Sequence, residues 1–119
     1  FKRIQASLPV IKKNYQMEFY AWKPNDILSV NEYGIPEPDF KKNQFSPNVI
    51  LLPLLAFDKK KNRLGYGKGF YDRYLNKCLK KNKKILTIGI AFSFQKYKKI
   101  PTNKMDIKLD YILTERGLF

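Results

Sequence analysis

Residues 63–72 read Arg63-Leu64-Gly65-Tyr66-Gly67-Lys68-Gly69-Phe70-Tyr71-Asp72, and their types and spacing suit them to hold a phosphate. Glycines at alternate positions let the backbone take φ > 0 or approach a ligand with no Cβ in the way. Arg63 and Lys68 supply cations. A helix predicted from about Phe70 would aim backbone N–H groups into the same space, which makes an anion cradle. Asp72 falls in the first helical turn, where a carboxylate can hold a metal beside that phosphate. The plainer alternative is a glycine-rich connector, with Asp72 a first-turn acid favoured by the helix dipole. The loop is not a Walker A sequence and lacks the dinucleotide-binding spacing.

The flanking elements must position this loop. Asn48–Phe57 is nearly all apolar, as expected of a parallel strand buried on both faces. Phe70–Lys81 fits an amphipathic helix with Phe70, Tyr74, Leu75, Cys78 and Leu79 in one stripe and lysines at its C-terminal end. Lys84–Phe92 reads as another buried strand. Strand, loop, helix and strand over 48–92 predict a right-handed βαβ unit, with the loop at the carboxyl end of its first strand, where α/β proteins bind ligands. Upstream, Lys2–Leu8 reads as a strand stopped by Pro9 and Gln16–Trp22 as a second, ended by Pro24. Asp26–Asn31 is weakly structured. Tyr33–Pro38 is an extended loop, since two prolines bar a helix, and 33–47 is the one long loop. Gln95–Lys99 fits a short helix or turn and Asp110–Thr114 a last strand, begun by Asp110. Asp58 reads as closing the turn before Lys59.

Composition narrows the chemistry. The 119 residues allow one domain, 1–119, with one modest core, and 44% hydrophobic residues are too many for a disordered chain. The longest apolar run, Val49 to Phe57, is too short to span a bilayer and contains Pro53. No histidine is present, so a Ser-His or Cys-His pair cannot form, and the single Cys78 excludes an internal disulfide. Cytoplasm is the natural compartment. The net charge of +14 and pI of about 9.9 would suit nucleic acid. The lysines, however, are spread between apolar segments and greatly outnumber arginine, which reads as a solvated surface. That charge would still draw anionic substrates from a distance.

The stretch Leu51-Leu52-Pro53-Leu54-Leu55-Ala56-Phe57-Asp58, the loop that follows, and Tyr71-Asp72-Arg73-Tyr74-Leu75 together closely resemble the signature of the 5-formyltetrahydrofolate cyclo-ligase family. Leu8-Pro9 and the Gly34–Pro38 stretch also look like family landmarks. The resemblance implies an α/β, Rossmann-like (CoA-transferase-like), largely parallel sheet flanked by helices. It implies ATP- and Mg²⁺-dependent conversion of 5-formyltetrahydrofolate, polyglutamylated or not, to 5,10-methenyltetrahydrofolate with release of ADP and phosphate. It assigns Arg63, Leu64, Gly65, Tyr66, Gly67, Lys68, Gly69, Phe70 and Tyr71 to ATP, with Arg63 and Lys68 as the cations acting on the phosphoryl group. Tyr66 to Phe70 would also face the folate, together with Glu37. Asp72 and Asp106 match the magnesium aspartates.

Family members carry an N-terminal portion ahead of the position of Phe1, with basic residues for ATP and a glutamate for the folate. The resemblance therefore implies a fold incomplete at its N-terminal part, exposed apolar surface, and a monomer when complete. Two other readings stay open: an α/β enzyme acting on sugar phosphates or CoA esters, and a basic nucleic-acid-binding module.

Overall fold

The computed structural model describes residues 3–39 and 43–119. The chain divides into two compact units, Phe1–Pro47 and Asn48–Phe119.

In the first unit, β1 (Ser7–Ile11), β2 (Met17–Ala21) and β5 (Gln44–Phe45) form an antiparallel sheet in the order β1-β2-β5. The strand expected to stop at Pro9 runs through it, with Pro9 opposite Phe19, and its expected start at Lys2 lies outside the described residues. β1 lies at the edge of its sheet, where a proline's missing N–H costs little. Burial of Val10, Met17 and Phe19 fixes the register more firmly than the Ile4–Leu8 alternation does.

Residues 26–38 are better ordered than expected. β3 (Leu28–Val30) pairs antiparallel with β4 (Pro36–Pro38), and β5 further divides the stretch read as one long loop. Both prolines of β4 sit opposite Leu28 and Val30, between the positions that carry the hydrogen bonds. Those bonds run from Asn31 N–H to Ile35 O (3.0 Å) and from Asp39 N–H to Ile27 O (2.9 Å). The prolines bar a helix as argued, but no ladder donor is needed where they stand. Buried Glu37 lies between them, its Oε2 accepting from Ile11 N–H (3.2 Å) and Asn31 Nδ2 (3.0 Å).

The second unit is a mixed α/β layer. Its sheet comprises β6 (Val49–Pro53), β9 (Leu86–Ile90), β10 (Tyr111–Thr114) and β11 (Gly117–Leu118), ordered β11-β10-β9-β6. β9 runs parallel to both β6 and β10, and β11 returns antiparallel along β10. A small hairpin, β7 (Ala56–Phe57) and β8 (Arg63–Leu64), and then α1 (Phe70–Lys80) lie between β6 and β9 in sequence. The apolar run 48–57 is therefore two strands rather than one. A short 3₁₀ turn at Ser93–Gln95 replaces the one expected at 95–99.

Burial on both faces of the sheet does not hold. β6 alternates, with Ile50 and Leu52 buried and Val49 and Leu51 exposed (49% and 60%). Leu86, Ile90, Tyr111 and Leu113 continue the exposed set on β9 and β10. The opposite face is close-packed: a Cβ on Gly89 would lie 2.6 Å from Leu109 Cδ1 and 2.9 Å from Leu54 Cδ2. Ile50, Leu52, Leu54, Tyr74, Leu75, Cys78, Leu109 and Ile112 belong to the buried core of this unit.

Asp58 closes the β7–β8 turn, as expected. Its Oδ1 accepts from Lys60 N–H and Asn62 N–H (both 3.0 Å), and its Oδ2 from Asn62 Nδ2 (3.0 Å) and Ile100 N–H (3.1 Å). Burial is the largest single influence on its pKa and pushes it up, but these donors together outweigh burial and hold it below the usual carboxylate value. A depressed folded pKa gives stability that is present above the unfolded value and is lost as pH falls through the folded one. Asp58→Asn should therefore cost about 1.5–3 kcal/mol at pH 7. In urea unfolding at neutral and strongly acidic pH, its deficit should shrink as the wild-type carboxyl protonates. An equal deficit at both would show that the charge is not what holds the turn.

Candidate functional site

The glycine loop leaves β8 at Leu64 and enters α1 at Phe70. Gly67 (φ 96°) and Gly69 (φ 70°) use the left-handed region that glycine alone enters cheaply. Gly65 lies against the Arg63 guanidinium instead, where a Cβ would come within 2.9 Å of Nη2. Gly69 is the N-cap of α1 and offers no side-chain acceptor to the helix start. Leu64, Tyr66, Gly67, Lys68 and Gly69 are exposed, with Tyr66 at 65%. An open, uncapped helix start beside cations is suited to an anion.

Arg63 is not a free cation reaching into solvent. Its side chain is 7% exposed, its Nε donates to Pro53 O at the end of β6 (2.9 Å), and its Nη1 stands 3.8 Å from Asp72 Oδ2. Its guanidinium lies 5.4 Å from the Tyr71 ring centroid. Burial pushes its pKa down, while Asp72, Tyr71 and Asp106 push it back up. Burial also raises the Tyr71 pKa, against the opposing pull of Arg63.

Asp72 and Asp106, 34 positions apart in sequence, act on that same guanidinium. Asp72 Oδ1 accepts the Ile107 N–H (3.1 Å), so the residue after Asp106 is pinned to the first turn of α1. Asp106 sits in its own turn: its Oδ2 accepts from Asn103 N–H (3.0 Å) and its N–H donates to Asn103 O (3.2 Å). The 103–107 turn and the helix start that follows the glycine loop thus meet at Asp72. Glu37 belongs to the first unit.

Two groups escaped the sequence reading. Asn76, one turn beyond Asp72, donates through Nδ2 to Asp72 O and to Met105 O, both at 2.8 Å. It straps the 103–107 turn to α1. Its only signal is a polar residue four positions after the acid. The Ile107 amide carries no side-chain signature at all.

No group of three metal-ligating side chains occurs among the described residues. The donor set of two aspartates still fits Mg²⁺, which takes one or two carboxylates and fills its remaining positions with water and substrate phosphate. Asp106 Oδ1 has no hydrogen bond within the turn, and Asp72 Oδ2 has only the long Arg63 contact.

The model of the 5-formyltetrahydrofolate cyclo-ligase family matches residues 3–115. The 5-formyltetrahydrofolate cyclo-ligase of Haemophilus influenzae is 37% identical over 113 residues, covering 89% of this chain and 59% of that protein. That of Mus musculus is 45% identical over 102 residues, covering 82% and 49%. Among solved structures, the 5,10-methenyltetrahydrofolate synthetase of Aquifex aeolicus superposes with a TM-score of 0.74 at 34% identity, over 96% of this chain and 57% of that one. The Mycoplasma pneumoniae enzyme of the same name gives 0.66 at 31%, over 92% and 55%. This chain spans about half the length of the curated relatives it matches. The alternating glycines, the carboxylate at the helix start and the turn pinned to it thus stand in a chain that belongs to the 5-formyltetrahydrofolate cyclo-ligase family.

Proposed function

We propose that this chain takes part in ATP- and Mg²⁺-dependent conversion of 5-formyltetrahydrofolate to 5,10-methenyltetrahydrofolate, on a sheet of the Rossmann-like type. One observation carries the reading: the exposed, positive-φ glycine loop opens onto an uncapped helix whose first-turn acid, Asp72, binds the turn that holds Asp106.

A formamide carbonyl is a weak electrophile and its oxygen a poor leaving group. Transfer of the γ-phosphoryl group of ATP to the formyl oxygen leaves ADP and lets that oxygen depart as inorganic phosphate. Attack by the folate's second nitrogen on the formyl carbon then closes the ring. No protein nucleophile is required, which suits a chain with no histidine and one buried cysteine. The protein must position the partners and stabilise charge on the phosphoryl group. In this reading the backbone from Gly65 to Tyr71 cradles phosphate and Lys68 supplies the accessible cation. Arg63, buried against Asp72 and Tyr71, shapes the loop and lends its field. Tyr66 to Phe70 line the folate side; the assignment of Glu37 to the folate rests on the resemblance alone. Asp72 and Asp106 would hold Mg²⁺, which supplies charge neutralisation on the phosphates when bound.

Gly67→Val should abolish ATP binding, measured by calorimetry, while far-ultraviolet circular dichroism stays unchanged. Unaltered affinity would remove the cradle. In the full-length enzyme, Asp72→Asn and Asp106→Asn should each lower methenyltetrahydrofolate formation by roughly 10²-fold or more. Melting temperature should fall less for Asp106→Asn, because Asp72 also carries the Ile107 bond. Asn76→Ala should raise the Mg²⁺ needed for half-maximal rate by about 10–100-fold. It should also speed amide exchange at Ile107, a readout independent of turnover. Retained protection there would show that the strap is dispensable.

A further inference from the structure

We infer that Gln95 is a positioning residue for the glycine loop: its side chain locks the 53–55 bend, which holds Arg63 and Leu64, and so sets the affinity of the loop for phosphate. The inference rests on the phosphate reading of that loop.

The bend stands at the carboxyl end of β6. Pro53 and Ile90 are the last pair of the parallel ladder, so the carbonyls that follow lie beyond the reach of β9. Three consecutive carbonyls are taken instead by two distant side chains. Pro53 O accepts from Arg63 Nε (2.9 Å). Leu54 O and Leu55 O both accept from Gln95 Nε2 (3.1 Å each). The remaining polar atom of that amide, Oε1, accepts the Phe92 N–H (2.7 Å). Two carbonyls facing the nitrogen and one N–H facing the oxygen allow the Gln95 amide a single orientation. A partly buried carbonyl that loses its donor costs free energy, and Gln95 is the donor for two of them.

The bend reaches the glycine loop by two routes. Leu55 N–H donates to Leu64 O (2.8 Å), one residue before Gly65. Pro53 O holds the Arg63 side chain whose Nη1 faces Asp72. A bend free to turn would move the entry of the loop and this guanidinium together. The chain beyond Gln95 does not depend on its side chain for placement. Tyr97 N–H donates to Phe57 O (2.7 Å), and Ile100 N–H donates to Asp58 Oδ2 (3.1 Å). Those bonds anchor 97–100 to β7 and to the turn after it, so losing the Gln95 amide loosens the bend and leaves the neighbouring segment in place.

Two variants separate donation to the bend from capping of the 3₁₀ turn. Gln95→Met removes both donors and the acceptor at similar length. Gln95→Glu keeps an oxygen for the Phe92 N–H but turns a second oxygen toward Leu54 O and Leu55 O. Calorimetric titration of the full chain with ATP should show affinity reduced by about tenfold or more in both variants. Amide exchange on the same proteins should quicken by about tenfold or more at Leu55 and stay unchanged at Tyr97. Wild-type affinity in Gln95→Met would overturn the inference, because a loss confined to Gln95→Glu is charge repulsion alone. Wild-type affinity in Gln95→Glu would overturn it as well, since capping the turn would then suffice. Equal acceleration at Leu55 and Tyr97 would also overturn it, as a general loosening of the fold. If the unaltered chain binds no ATP, the phosphate reading fails by itself; slow exchange at Leu55 retained in Gln95→Met would then remove the lock too.

Discussion

The carboxylate of Asp72 is divided between two duties, and the arrangement of the candidate site follows from that division. One oxygen accepts the Ile107 amide and the other faces Arg63. Arg63 in turn reaches the end of β6 through Pro53 and lies against Tyr71. Segments near residues 53, 63, 72 and 107 are thereby gathered around a single acid. The Arg63 contact is too long for a strong hydrogen bond, so the amide bond to Ile107 is the firmer of the two, a charge-assisted bond of the kind worth about 1.5–3 kcal/mol net.

Buried acids elsewhere show the same logic with a different purpose. Asp58 and Glu37 are each buried and accept hydrogen bonds from backbone and amide donors. In a chain of net charge +14, these two carboxylates accept from N–H groups, and most of the lysines stay at the surface. Positive charge therefore remains for solvent and for whatever anions approach.

Much of this was legible from residue types. Helix α1 could be read because its apolar stripe, first-turn acid and terminal lysines agree, and it ends at Lys80 where Lys81 was expected. The loop could be read because glycine, lysine and arginine alternate where a strand gives way to a helix. The parallel pairing of 49–53 with 86–90 followed from two apolar runs flanking that helix. Burial was not legible. A run such as Val49–Pro53 says that both faces are apolar, but covering a face requires another element, and that is a property of packing. Pro9, Pro36 and Pro38 misled because a proline's effect depends on whether its missing N–H would have faced a partner, which only register reveals. The contact between Asp72 and Ile107 was beyond reach, since every residue but proline owns an amide.

The N-terminus of α1 can couple anion binding to folding. Gly69 brings no side-chain oxygen to the helix start, and neither the Asp72 bond to the Ile107 N–H nor the Arg73 guanidinium bond to Lys68 O (3.2 Å) accepts from a first-turn amide. An anion seated there would act as the missing cap, and ligand and helix would become parts of one folding equilibrium. Mass action then sets the scale: an occupant at a hundred times its dissociation constant adds about 2.7 kcal/mol to the folded state. The supply of such an anion would thus tune the lifetime of the folded state as well as the occupancy of the loop.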